Sequence, residues 1–287
     1  MNPTGDLISL ALNEDLGAAG DVTSRAFIPA DSVSRARIVS RCDCVASGIA
    51  IAAEVFRRVD QTLTITAYAA EGERLSSGSL LLEISGPTRS ILSGERTALN
   101  FLGRLCGIAT LSRRYADAVK GTQVTLLDTR KTTPGWRLLE KQAVKAGGCT
   151  NHRMGLHDAV LVKDNHLAAL GDLSLLPPVI ARLRSEHPGL PIEIEADTLD
   201  QVNTLLGMQG IDVILLDNMP PALMSEAVAV RNKVAPAVLL EASGGVTLAS
   251  IPKIAATGVD RISVGALTHS ATNADLSLEM ESPDHVS

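Results

Sequence analysis

The 287-residue sequence predicts an α/β chain in two parts: a mixed α+β N-terminal region, then a parallel β/α barrel of about six strands. Three observations predict it. From residue 122 onward, short apolar runs alternate with helical segments, a βαβ rhythm that implies right-handed crossovers and a parallel sheet. Hydrophobic residues make up 45% of the chain but aromatic ones only 2%. The core must therefore be Leu, Ile, Val and Ala, which suits parallel strands covered by helices. A doubly wound open sheet is the runner-up; no G-x-G-x-x-G follows a strand, which counts against its dinucleotide-binding version.

In order, Asp6–Leu16 has helical apolar spacing, Ser34–Val45 alternates as a strand, and Gly48–Val59 is helical again. Leu63–Tyr68 and Leu80–Ile84 read as strands separated by Gly-rich turns. Ser90–Leu105 forms a long amphipathic helix with Ile91, Leu92, Leu99, Leu102 and Leu105 on one stripe. The barrel strands are Val124–Leu127, Ala159–Val162, Ile192–Ile194, Val213–Leu216, Val238–Leu240 and Ile262–Val264, each gap being long enough for a crossover helix. The last nine residues, from Glu279, read as a frayed tail.

Nearly every barrel strand runs into a polar or charged residue. The first leads to Asp128, Thr129, Arg130 and Lys131, and the second to Lys163 and Asp164. The third ends at Glu195 and the fourth at Asp217 and Asn218. The fifth leads to Glu241, Ser243, Gly244 and Gly245, and the sixth into Val264, Gly265 and Ala266. In a parallel barrel the C-terminal strand ends share one rim, and that rim carries the chemistry.

Seven of the 39 residues from Asp128 to His166 are Lys or Arg, in a chain whose net charge is −6. A concentrated cationic segment in an acidic chain suggests a field built for an anionic ligand. Arg forks grip carboxylate or phosphate and Lys adds a mobile point charge, so Arg130, Arg153, Lys131 and Lys163 suit a ligand with several negative charges. Barrels commonly bind phosphate in their last two loops, where Ser243-Gly244-Gly245 and Val264-Gly265-Ala266 fall. Glu195 and Asp217 would repel phosphate unless they serve Mg²⁺, ribose hydroxyls or a positive charge developing at a sugar carbon.

Acidic balance and scarce aromatics oppose a nucleic-acid platform. The N-terminal segment lacks a basic n-region and no apolar run is long enough to span a bilayer, so a cytoplasmic protein is expected. Cys42 and Cys44 alternate on one strand face and read as small buried hydrophobes; no second Cys/His pair has zinc-ligand spacing.

Along nearly its whole length the chain resembles the quinolinate phosphoribosyltransferase family. The blocks are EDLGAAGDVTS, ERTALNFLGRLCGIAT, DTRKTTPG, GGCTNHRMGLHDAVLVKDNH, IEIEADTLDQ, ILLDNM, LEASGGV and ISVGALTHS. The resemblance implies an α/β-sandwich N-terminal domain at 1–108 and an incomplete α/β barrel at 109–269, with the tail 270–287 a candidate to pack on the first. It implies transfer of phosphoribosyl from phosphoribosyl pyrophosphate to quinolinate with Mg²⁺, giving nicotinate mononucleotide, pyrophosphate and CO₂.

Carried over by motif, Arg130, His152, Arg153 and Lys163 would face quinolinate's two carboxylates. Lys131 and Lys163 would also serve the diphosphate or ring side, and Thr129 would bind substrate. Glu195 and Asp217 would handle Mg²⁺, the ribose and the oxocarbenium-like charge; with Lys131 and Lys163 they form the expected catalytic set. Ser243, Gly244, Gly245, Val264, Gly265 and Ala266 would hold the 5-phosphate. Arg96 would reach the neighbouring subunit's site in a homodimer or a higher oligomer. Cys149, Trp136 and Cys106 depart from the residues usual in the family and bear on loop conformation near Asn151. The competing readings are the family's molybdenum-transport relative, a Schiff-base aldolase using Lys163, and a non-catalytic anion-binding or nucleic-acid-binding module.

Overall fold

Helical apolar spacing near the N-terminus produces α1 (Pro3–Leu16), whose buried Ile8 and Leu12 lie four residues apart on one face. A computed structural model describes residues 3–281 of the chain. Asp21 caps α2 (Val22–Phe27) by accepting the Ser24 N–H at 2.9 Å. Then come β1 (Val33–Ser40), β2 (Cys44–Val45), α3 (Ile49–Val59), β3 (Thr64–Ala67), β4 (Arg74–Leu75), β5 (Leu80–Pro87) and α4 (Thr88–Ala118). Glu71 caps α3, accepting the N–H groups of Gly48 and Ile49 at 2.9 Å each. The single strand expected over Ser34–Val45 is broken in two. Ser40 Oγ donates to the Cys42 carbonyl at 2.5 Å and accepts its N–H at 3.4 Å, and this local pairing turns the chain out of the ladder. Cys42 therefore sits in a bend and is half-buried, while Cys44 is buried in β2, so the two do not share one buried face.

The second half continues with β6 (Thr125–Leu127), α5 (Arg137–Ala146), β7 (Val160–Val162), α6 (Asp164–Leu170), α7 (Leu176–Glu186) and β8 (Ile192–Ala196). After these come α8 (Leu199–Leu206), β9 (Val213–Asp217), α9 (Pro221–Val234), β10 (Leu239–Ser243), α10 (Ile251–Ala255), β11 (Arg261–Ser263), α11 (Ala266–His269) and β12 (Leu276–Met280). All six expected barrel strands are present in one parallel sheet, ordered β6-β11-β10-β9-β8-β7. Ile194, Ile214, Leu216, Leu240 and Ile262 are wholly buried in it. No helix among the described residues is long and apolar enough to cross a membrane.

The chain divides into two compact units. One takes the residues up to Arg113, Thr132–Gly148 and those from Leu267 on; the other takes Arg114–Lys131 and Cys149–Ala266. The division expected at 108/109 falls inside α4, which runs unbroken to Ala118 because nothing in Gly107–Ala118 interrupts its hydrogen bonding.

In the first unit an antiparallel sheet has the order β12-β1-β5-β3. The tail expected from Glu279 is instead strand as far as Met280, pairing Ala36 with Met280 and Ser40 with Leu276. Charge fixes that edge: Arg37 Nη2 lies 2.8 Å from Glu281 and Arg41 Nη2 lies 2.7 Å from Glu279. The rest of that tail lies outside the described residues. The segment before β12 passes so close to α4 that a Cβ at Gly107 would stand 2.0 Å from the Thr272 carbonyl oxygen, so glycine is required there.

A buried carboxylate ties this unit together. Glu140, wholly buried on α5, accepts Arg104 Nη2 at 2.8 Å, Thr133 Oγ1 at 2.8 Å and the Thr133 N–H at 3.2 Å. Arg104 also donates to the Ala271 carbonyl at 2.9 Å. Trp136, next to this turn, stacks on Phe101 with centroids 4.7 Å apart, which accounts for an aromatic at that position. Glu140→Ala should cost about 3–5 kcal/mol of stability, because it strands the Arg104 guanidinium. Urea unfolding of both proteins measures it, and a loss below about 1 kcal/mol would contradict the role given to Glu140.

Candidate active site

The parallel order of β6 to β11 puts six C-terminal strand ends on one edge. Register sets Asp217 beside Ser243, and Leu215 pairs with both Glu195 and Glu241. Asp217 and Ser243 close their strands' ladders and Glu195 lies one residue before the end of its own, slightly earlier than the expected position just past them.

The cationic side grows from the edge of β6. Thr150 bridges to Leu127 in parallel, with its N–H on the Leu126 carbonyl at 2.8 Å. Asp128, wholly buried, accepts Asn151 Nδ2 at 2.7 Å and the His152 N–H at 2.8 Å. These bonds draw Asn151, His152 and Arg153 alongside Arg130. Arg153 has its pKa pressed below the usual guanidinium range, first by burial and then by the charge of Arg130. Arg153 Nη1 donates to the Ala159 carbonyl at 3.1 Å, while the buried Arg130 Nε has no hydrogen-bond partner. Two guanidiniums kept close despite repulsion, one with an unmet donor, suit a ligand carrying two negative groups. Thr129 Oγ1 accepts the Lys131 N–H at 3.1 Å, and the Lys131 side chain is exposed on the same stretch.

The acidic side holds three carboxylates. Oxygens of Glu195, Asp197 and Asp217 lie within 4.8 Å of one another. Asp197 was not anticipated; it follows the strand by one residue and reads in sequence as a turn. Lys163 Nζ is 3.5 Å from Glu195, whose other oxygen accepts the Asp164 N–H at 3.3 Å. An all-oxygen set with one buried and two more open members fits Mg²⁺, which shares its shell with water and substrate phosphate. Asp217 is oriented by Asn218, whose Nδ2 donates to it at 2.6 Å. Asn218 has φ 52°, the only positive φ outside glycine among the described residues, and a strained backbone of this kind clusters at functional sites.

In the loop after β10, Gly244 and Gly245 have φ 92° and 58°. A Cβ on Gly244 would stand 2.1 Å from Asn218 Oδ1, so the Asp217 and glycine loops pack as one piece. Val264 is buried and its N–H reaches the Leu127 carbonyl at 2.9 Å; Gly265 and Ala266 are half-buried where α11 begins.

His152 has neighbours the sequence did not suggest. Its Nε2 lies 3.1 Å from Glu193 and 3.4 Å from Glu241, and its Nδ1 accepts the Arg153 N–H at 2.8 Å. Burial opposes charge on the ring, but the neighbouring carboxylates of Glu193 and Glu241 outweigh it and push the pKa up to about 9. The contact to Nδ1 points the other way, since only an unprotonated nitrogen accepts an N–H. Geometry decides the form described here: a neutral ring with its proton on Nε2. Burial raises the pKa of Glu193, with His152 opposing that. Glu193 was missed because Ile-Glu-Ile-Glu reads as a strand with one wet face.

The other residues fall elsewhere. Arg96 is exposed on α4, in the first unit. A cavity of about 330 Å³ lies at the opposite strand ends, lined by Thr125, Leu239 and Arg261 among others, and contains none of the expected residues. The Lys163 amine is half exposed beside a carboxylate, unlike the desolvated lysine that forms Schiff bases.

Residues 108–279 match the quinolinate phosphoribosyl transferase C-terminal domain, and residues 21–106 match its N-terminal domain. A carboxylating nicotinate-nucleotide pyrophosphorylase of Mycobacterium leprae is 41% identical over 280 residues, spanning 96% of each chain. A probable one from Bacillus subtilis is 41% identical over 268 residues, covering 93% of this chain and 90% of the relative. The structure of the Francisella tularensis nicotinate-nucleotide pyrophosphorylase superposes with a TM-score of 0.89 at 34% identity, over 98% of this chain and 96% of that one. By its sequence over both domains and by its fold, the chain belongs to the quinolinate phosphoribosyl transferase family.

Proposed function

We propose that this chain transfers the phosphoribosyl group of phosphoribosyl pyrophosphate to quinolinate, with loss of CO₂, making nicotinate mononucleotide for NAD biosynthesis. The observation that carries it is the pairing, on one strand edge, of a guanidinium pair with a trio of carboxylates. The guanidiniums suit a dicarboxylate; the carboxylates suit a metal-bound sugar diphosphate.

In this reading Arg130, Arg153 and Lys163 hold the two carboxylates of quinolinate and aim its ring nitrogen at the anomeric carbon. The carbon–oxygen bond to pyrophosphate breaks as the nitrogen bonds to that carbon, and Lys131 meets the charge growing on the leaving group. Glu195 and Asp217 face the positive charge that develops on the sugar. Ser243, Gly244, Gly245, Val264, Gly265 and Ala266 cradle the 5-phosphate with backbone N–H groups. Once the ring nitrogen carries the sugar it is cationic. The electron pair left on carbon 2 as CO₂ departs is stabilised beside it, then takes a proton.

Glu195, Asp197 and Asp217 would hold Mg²⁺, which neutralises diphosphate charge when bound. Activity should therefore vanish in excess chelator and return with Mg²⁺, while the melting temperature without substrate stays unchanged. A sharp fall in melting temperature would mean a structural metal instead. The assembly proposed is a homodimer in which Arg96 completes the partner subunit's site. The test of the function is an assay for nicotinate mononucleotide from quinolinate and phosphoribosyl pyrophosphate.

A further inference from the structure

The parallel sheet carries two carboxylates where barrels normally bury branched aliphatic side chains. Glu241 is 0% exposed and Glu193 is 4% exposed. Neither oxygen of Glu241 has a hydrogen-bond partner, nor has Glu193 Oε1. A buried carboxylate short of donors is costly, so two of them side by side weaken the core. Both face His152 Nε2, at 3.1 Å from Glu193 and 3.4 Å from Glu241. The opposite ring nitrogen accepts the Arg153 N–H at 2.8 Å, and the His152 N–H is fixed by Asp128 at 2.8 Å. The ring thus has both nitrogens committed to the protein. It works as a strut between the buried acids and the backbone of Arg153.

We propose that Glu193 and Glu241 are positioning residues that clamp the His152 ring and, through its Nδ1, set the Arg153 backbone for the dicarboxylate subsite. This rests on reading Arg130 and Arg153 as that subsite. Two carboxylates facing Nε2 hold the ring proton there, which leaves Nδ1 bare to accept from Arg153. Partners that fix a functional histidine in this way also fix its tautomer. The acids touch no substrate, so their removal should act on quinolinate binding and leave phosphoribosyl pyrophosphate binding intact.

The test uses Glu241→Gln, His152→Gln and the double variant, with ring ¹⁵N spectra of the full chain. In Glu241→Gln the KM for quinolinate should rise roughly 10- to 100-fold, as when such outer partners are lost, with a much smaller change in kcat. In the His152→Gln background the same substitution should add almost nothing, because a shared strut makes the effects non-additive. The wild-type spectrum should show the proton on Nε2. Unchanged quinolinate KM in folded Glu241→Gln overturns the proposal, as do fully additive effects. A wild-type ring with bare Nε2 overturns it whether or not any variant folds. If wild type neither binds nor turns over quinolinate, the functional reading fails instead, and the spectrum still decides the clamp.

Discussion

Nicotinic acid should be used about 10⁴-fold less efficiently than quinolinate, measured as kcat/KM with phosphoribosyl pyrophosphate saturating. It lacks the 2-carboxylate. Burial, and then the charge of Arg130, hold the Arg153 pKa below the usual guanidinium range. Arg130 Nε is buried without a partner. A dianion relieves both conditions; a monoanion leaves one guanidinium desolvated and unpaired. Sites built to pair a polar group reject the analogue lacking it far more strongly than apolar pockets reject a missing methylene. The control is quinolinate turnover in the same preparation. Comparable use of both acids would remove the dicarboxylate reading of the cationic pair.

The strand ends that shape this rim were legible because each apolar run is short and stops at a polar or charged residue or at glycine. Six such stops, at Arg130, Lys163, Glu195, Asp217, Ser243 and Gly265, fit one parallel edge and little else. What stayed hidden follows from packing between residues far apart in sequence. Glu193 alternates with Ile192 and Ile194, a period-2 pattern that usually marks a wet face. In this sheet all three are buried, so the alternation separates two covered faces. Asp197 looked like turn chemistry until the chain brought it to Asp217. β12 escaped because Leu276–Met280 is short and its pairing comes from β1, far back in the chain: Arg41 Nε reaches Ser277 Oγ at 2.8 Å. The break after Ser40 depended on a side chain competing for backbone groups, which propensity does not register.

Lys131→Ala should lower kcat by roughly 10²–10³, about 3–4 kcal/mol of transition-state stabilisation, with a smaller effect on quinolinate KM. Lys131 follows Arg130 directly and is exposed, with its backbone N–H held by Thr129 at 3.1 Å. That combination presents a positive charge from a fixed base. Its work is greatest when the pyrophosphate bond breaks, so the loss should fall on turnover. The same variant tests the shared site. Arg96 is exposed on α4, and in the proposed dimer it completes the partner's rim. Arg96→Ala and Lys131→Ala should each be nearly inactive alone. In a mixed dimer one site would carry both changes and the other neither. Random reassembly makes half the dimers mixed, so about a quarter of all sites should regain native composition. The measurement is activity after unfolding and refolding the two variants together, against each refolded separately. If tagged subunits demonstrably exchange and activity stays at the separate level, Arg96 acts within its own chain or not at all.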